Sequence, residues 1–207
     1  SSGFDEQLGW DSALMCWSID GGDQILDFRI SSDDMAILHG VSFGSDGAVW
    51  ATGWFQGLTV FGDGDEAEER DAGLSLFGFV VRYDLEDGLS WVMTSTGTAH
   101  YSAAAAPGGG AWGSGGASYG LVAVEATEPF QVPTGLPGDA LVIHFDEQGN
   151  PSDPIEGFAG SWDTVYELRP RDAGGVLTLG SASDEYVVGQ GTDSETTLGI
   201  EGEELAW

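Results

Sequence analysis

Lysine is absent from the 207 residues, and five arginines supply all the permanent positive charge against 35 aspartates and glutamates, for a formal net charge of -30. So one-sided a balance repels nucleic-acid phosphates and anionic lipid headgroups, and neither is expected as a partner. It also leaves most carboxylates without a cation to pair with, so dissolved cations must screen the self-repulsion, as in a saline or calcium-containing medium. Cysteine is nearly missing. Cys16 stands alone inside an apolar run, so no disulfide can form within the chain and a buried free thiol is expected. No apolar run reaches transmembrane length, and no signal peptide or lipidation motif is seen, so direct membrane insertion is not expected. No segment keeps a helical hydrophobic period over ten residues. The zinc-protease helix, the phosphate loop and the twelve-residue calcium loop are missing too, which points away from enzyme chemistry.

What is present is glycine, 34 residues of it, interleaved with aromatic and branched residues and without a three-residue period. That composition suits many short strands joined by many turns. Residues 76–88 (LFGFVVRYDLEDG) read as a strand running into a tight turn. The pattern recurs at 11–22 (DSALMCWSIDGG) and 139–149 (DALVIHFDEQG), and 203–207 (EELAW) begins it again. Trp17, Tyr83 and Phe145 fall at one position, 66 and 62 residues apart. A second landmark repeats independently: His39, Tyr101 and Tyr166 lie 62 and 65 residues apart, followed by turn glycines Gly47, Gly109 and Gly174 and strand-ending glycines Gly53, Gly115 and Gly180. The run Ala103 to Ala106 is too short, and too close to Pro107 and three glycines, to hold a helix, so we read it as a tightly packed inner strand.

Each period is expected to hold about four short strands, with acidic or proline-bearing loops such as 62–73 leading into the next. A repeat of this length that cannot bury its apolar face alone predicts radial stacking of small antiparallel sheets. The expected fold is therefore all-β, a β-propeller-like array of about three four-stranded blades plus the start of a fourth, a fragment of a larger propeller. The expected divisions are 1–10, a linker or the end of a preceding blade; 11–76, 77–138 and 139–202, three repeat units; and 203–207, the start of a fourth unit or a closure strand. The opening on SSGFDE rather than Met adds to the expectation of a piece of something longer.

Residues 48–62 (AVWATGWFQGLTVFG) and 77–91 (FGFVVRYDLEDGLSW), with 139–150 (DALVIHFDEQGN) a second match to the latter, resemble bacterial propeller repeats in which a "VYVTGSF.G..DFG" segment precedes "DAFVAKYD.DGN..W". The resemblance implies an exported scaffold, often a lipoprotein or surface protein, with no implied catalysis. Arg82 and His144 stand where those repeats carry lysine, and 165–179 departs from their strand pair.

The residues that could carry chemistry sit in the turns and among the aromatics. Asp63, Asp65 and Glu66 form an acidic cluster of hard oxygen ligands, and Asp84, Asp87 and Asp146 occupy equivalent turns, so calcium is the metal these positions could take. Solvated turn carboxylates are the plainer reading. His39, His100 and His144 have no metal-ligand spacing; a structural role is expected for His39 and His100, at nearly equivalent places, and a solvent-facing side chain for His144, which stands in the place of Arg82. Trp50, Trp91 and Trp112 recur with the repeat and are expected in the core. Trp10, Trp54, Phe55 and Trp162 are expected to form a partner or glycan surface. Together these readings predict a non-enzymatic, extracytoplasmic scaffold or protein-binding module, periplasmic, surface-bound or secreted. Its partner would be another protein or the remaining blades of a longer chain. The alternatives are a calcium-stabilised glycan-binding or adhesion module and, behind it, a hydrolase or lyase with a central-channel site.

Overall fold

The computed structural model describes residues 10–117, 121–124, 130–133, 140–152, 155–158, 164–171, 176–182, 186–188, 196–198 and 205–206. The chain is all-β, a run of antiparallel hairpins. Strands β1 (Ser12–Trp17) and β2 (Gln24–Ser32) make the first hairpin. Three more follow: β3 (Met35–Phe43) with β4 (Ala48–Gln56), β5 (Leu58–Phe61) with β6 (Glu68–Asp71), and β7 (Phe77–Asp84) with β8 (Gly88–Thr96). The next three repeat them: β9 (Thr98–Ala105) with β10 (Ala111–Ala117), β11 (Leu121–Val124) with β12 (Phe130–Pro133), and β13 (Ala140–Phe145) with β14 (Ile155–Phe158). Then come β15 (Thr164–Pro170) with β16 (Val176–Ala182), β17 (Tyr186–Val188) with β18 (Thr196–Leu198), and a short β19 (Leu205–Ala206).

These hairpins do not stack in chain order. They sort into four sheets: I, β1-β2-β5-β6; II, β3-β4-β7-β8-β11-β12; III, β9-β10-β13-β14-β17-β18; and IV, β15-β16-β19. One rule generates all four. Within each period the first and third hairpins (β3–β4 and β7–β8, then β9–β10 and β13–β14) form a four-stranded core sheet. The middle hairpin (β5–β6, β11–β12, β17–β18) is thrown back onto the outer edge of the preceding sheet. The period therefore holds six strands where the sequence suggested four. The segment 62–73, expected to be an acidic loop, contains a 3-10 turn (Gly64–Glu66) and β6. Strand β6 lies at the rim of sheet I, and its residues are Glu68, Glu69, Arg70 and Asp71, charges that discourage pairing with another chain.

Side-chain alternation along the strands gives each central strand two apolar faces, so the sheets pack face to face. Leu26, Phe28, Ile30 and Phe61 of sheet I meet Phe55, Phe79 and Val81 of sheet II. Trp50 and Val80 of sheet II meet Ala103, Ala105, Ile143 and Phe145 of sheet III. Trp112 and Val142 of sheet III meet Val165, Leu168 and Val176 of sheet IV. Ala103, Ala104 and Ala105 of the alanine run lie in β9 and are buried, as a close-approaching strand requires, and Ala106 follows the strand, half-buried. Cys16 is half-buried against the core between sheets I and II, its thiol free.

One surface residue is corrected. Phe55 is fully buried, its ring 5.5 Å from Phe61, 5.9 Å from Phe77 and 6.4 Å from Phe79. Its neighbour Trp54 points to the opposite face of β4, because successive side chains alternate. Trp10 is 65% exposed, and Trp162 lies outside the described residues. We expect Phe55→Ala to lower stability by about 4 kcal/mol through lost burial and a cavity, and Trp10→Ala by about 0.5 kcal/mol or less. Urea midpoints of the two variants measure the contrast.

Candidate functional site

Strands β3, β9 and β15 each form the edge of their sheet, and each carries a one-residue bulge at the same place. The ladder skips from Leu38 to Gly40 in β3, from His100 to Ser102 in β9, and from Val165 to Glu167 in β15. The extra residues are His39, Tyr101 and Tyr166. A bulge leaves its residue outside the ladder and re-aims its side chain. Here it does so three times, and the rings meet: His39 and Tyr101 centroids are 5.2 Å apart, Tyr101 and Tyr166 6.3 Å. Trp54 extends the row, 6.5 Å from His39, and its indole Nε1 donates a 3.0 Å hydrogen bond to His39 Nε2. His39 and Tyr166 are exposed, Trp54 and Tyr101 half-buried. The result is a continuous four-ring surface crossing three sheets.

Opposite each bulge sits one of the repeated glycines: Gly53 pairs with Leu38, Gly115 with His100 and Gly180 with Val165. The reason is steric. A Cβ on Gly53 would run into the Ile37 carbonyl oxygen, and one on Gly115 into that of Ala99. Bulge and glycine are one device.

The electrostatics of the row favour neutral rings. Burial lowers the His39 pKa, and its Nε2 must be unprotonated to accept from Trp54. Burial holds the Tyr101 hydroxyl above its ordinary pKa, and neighbouring Tyr166 adds to the effect.

A second polar cluster lies between sheets II and III. Ser95 Oγ is 2.8 Å from His100 Nε2 and 2.5 Å from Thr98 Oγ1, and all three residues are buried. A serine in contact with an imidazole is half of a nucleophile–base arrangement, but among the described residues no acidic side chain orients His100 Nδ1, and the cluster is closed to solvent. His100 occupies the slot that the sister units fill with Leu38 and Val165. Its ring fits because Gly78 lacks a side chain there: an added Cβ would sit 2.5 Å from both His100 Cδ2 and Thr98 Oγ1. Although the two histidines seemed close to equivalent in sequence, one residue of phase separates the exposed bulge of His39 from the buried slot of His100.

Two of the proposed calcium residues, Asp84 and Asp146, form turns. Asp146 Oδ1 accepts from the backbone N–H of Gln148 and Asn150, at 2.9 and 2.8 Å, and the Asn150 side-chain amide donates to both carboxylate oxygens. Burial pushes the Asp146 pKa up, but those hydrogen bonds outweigh it and hold the carboxyl below its usual range. Asp84 Oδ1 likewise accepts from the N–H of Glu86 and Asp87. Asp63, Asp65, Glu66 and Asp87 are exposed. Among the described residues no three histidine, cysteine or acidic side chains converge to hold a metal ion, and no helix is long and apolar enough to cross a membrane. His144 is half-buried against Trp112, centroids 4.7 Å apart, in the place where Arg82 lies 5.9 Å from the Trp50 ring.

No protein-family model matches the sequence, and no curated protein is found to be similar to it.

Burial pushes the His100 pKa down to about 4, a shift the Ser114 backbone only partly opposes. The sign follows from where protons bind. Between the unfolded value of 6.5 and the folded value of about 4, the unfolded chain takes up a proton that the folded chain refuses, so the stability is complete above 6.5 and falls as pH drops through this window. The loss attached to this one group is about 3 kcal/mol. We expect His100→Leu to fold and to flatten the stability profile between pH 6.5 and 4 by roughly that amount; urea titrations across that range read it directly.

Proposed function

We propose that the chain is a non-enzymatic, extracytoplasmic binding module whose sheets stand as blades of a propeller-like radial array, serving as a scaffold in a surface or multisubunit assembly. The observation that carries this reading is the row Trp54, His39, Tyr101 and Tyr166, because three bulges at equivalent positions deliver one ring each to one continuous surface. Packing alone does not call for it: His39 and Tyr166 are exposed and are not core, and rigid rings with polar tips bind partners at little entropic cost. The edge position of β3, β9 and β15 supports placing these strands innermost, around a common axis. The likeness of residues 48–62 and 77–91 to exported propeller repeats supports both the arrangement and the location. The strong net charge adds solubility and turns anionic partners away.

A glycan is the second reading, favoured by the exposed Tyr166 ring and the half-buried Trp54 indole, over which a pyranose could stack. Neither reading relies on calcium, since Asp84 and Asp146 each already turn one carboxylate oxygen onto turn N–H groups.

The experiment immobilises the chain and a Tyr101→Ser/Tyr166→Ser variant, and exposes both to the extracytoplasmic protein fraction of the source cells and to a panel of neutral oligosaccharides. The expected outcome is a protein retained by the parent chain and at least about tenfold less by the variant, the loss typical of removing two interface hot spots. Retention of an oligosaccharide with the same dependence selects the glycan reading. Equal retention by both chains contradicts the assignment of the row.

A further inference from the structure

One unit departs from its sister units at two positions that touch. At the bulge, His39 stands where the others carry Tyr101 and Tyr166. Just past the repeated glycine, Trp54 stands where the others carry Gly116 and Ser181. The registers fix that equivalence: Trp54 faces Ile37, Gly116 faces Ala99 and Ser181 faces Thr164, each two residues before its bulge. A tyrosine at the bulge thus goes with a small residue beside it, and the imidazole goes with an indole that hydrogen-bonds to it at 3.0 Å. Two coupled departures at one place mark the pair as a built feature of this unit.

The chemistry of the bond is restrictive. An indole N–H only donates, so His39 Nε2 must keep its lone pair, and the one proton of the neutral ring sits on Nδ1. Protonation would set a second N–H on Nε2, leaving two donors facing each other across 3.0 Å. One of the rings then has to move, and the row parts between Trp54 and Tyr101, whose ring meets His39 edge-on at 66°. Around His39, β4 contributes Trp54, β9 contributes Tyr101 and the buried His100, and Tyr166 of β15 lies beyond Tyr101. Among the described residues no charge from β1, β2 or these strands acts on His39, whose pKa is lowered from 6.5 by burial alone. Tyr101 stays neutral because burial raises its pKa. His100, fully buried, is pushed down to about 4; His39, at an exposed position, loses less hydration and takes up its proton first.

We propose that His39 is the positioning residue and the proton gate of the aromatic row: neutral, it locks Trp54 into the row, and protonated in mild acid it releases Trp54 and dismantles the binding surface. The inference rests on the reading of the row given above. Because the folded pKa lies below 6.5, the row is complete above that value and is lost as pH falls through the folded pKa. A partner that needs the whole row binds the neutral fraction alone, so its affinity falls by about tenfold for each pH unit below that pKa.

The test follows the isotope-labelled full chain by nuclear magnetic resonance from about pH 7.5 to about 5, a range that brackets the ordinary histidine pKa. Long-range proton–nitrogen spectra report the His39 tautomer and its titration, and the Trp54 indole N–H signal reports the bond. The Nδ1–H tautomer is expected at neutral pH, with one midpoint shared by His39 and the Trp54 indole. Trp54→Phe is expected to raise the His39 midpoint, since the donor that favours the neutral ring is gone. His39→Gln keeps an acceptor for the indole and cannot titrate, so its Trp54 signal is expected to stay level. Circular dichroism at each pH shows that the chain is folded and separates the gate from the loss of stability attached to His100. An Nε2–H tautomer, an indole signal blind to the His39 titration, or a midpoint unmoved by Trp54→Phe overturns the proposal. A protein retained through the row is expected to leave the parent chain below the His39 midpoint and to stay on His39→Gln; equal release from both also overturns it. Coincident titration without any retention that depends on the row removes the proposed function and leaves the gate standing.

Discussion

A four-stranded sheet has two edges of unpaired N–H and C=O groups, and a chain of such sheets must do something with each of them. Here the outer edge of one sheet is satisfied by the next repeat. The β5–β6 hairpin leaves its own unit and pairs through β5 with β2, β11 pairs back with β8, and β17 pairs back with β14. Each unit is therefore incomplete without its successor. Neighbouring sheets are joined by backbone hydrogen bonds of the exchanged hairpins as well as by the apolar clusters between their faces. On sheet I the exchanged hairpin ends in the charged strand β6, so that rim discourages stray strand pairing.

The inner edge is handled differently. On β3, β9 and β15 a bulge breaks the ladder, and a glycine opposite makes room for the displaced carbonyl. An edge interrupted this way is a poor template for strand addition, and it offers ring surface in place of backbone. The same device thus guards an edge and builds the candidate site. Its polar counterpart between sheets II and III, the Ser95–Thr98–His100 cluster, uses a glycine in the same manner, Gly78 giving up its side chain to seat an imidazole where the sister units place leucine and valine.

Much of this was legible in the sequence as position and little of it as meaning. The offsets of Trp17, Tyr83 and Phe145, and of His39, Tyr101 and Tyr166, mark the period because equivalent places in a repeat see equivalent surroundings. Gly53, Gly115 and Gly180 were visible as repeated glycines, but that each faces a bulge is a fact of pairing, which no single strand encodes. The exchange of hairpins was hidden for the same reason: a short strand such as β5 has the same alternation whichever sheet accepts it. Phe55 was misplaced because an aromatic pair on one strand faces two directions. Comparing His100 with Leu38 and Val165 carried the missing signal, a polar side chain in a slot the repeat keeps apolar.

The claim on which the architecture turns is that middle hairpins belong to the preceding sheet. Cross-strand nuclear Overhauser contacts in the labelled chain test it most directly. Contacts between Ser31 and Val60, and between Ser95 and Val124, are expected from the registers of β2 with β5 and of β8 with β11. Contacts that instead place β5 beside β4 and β11 beside β10, each hairpin folding into its own sheet, would contradict it.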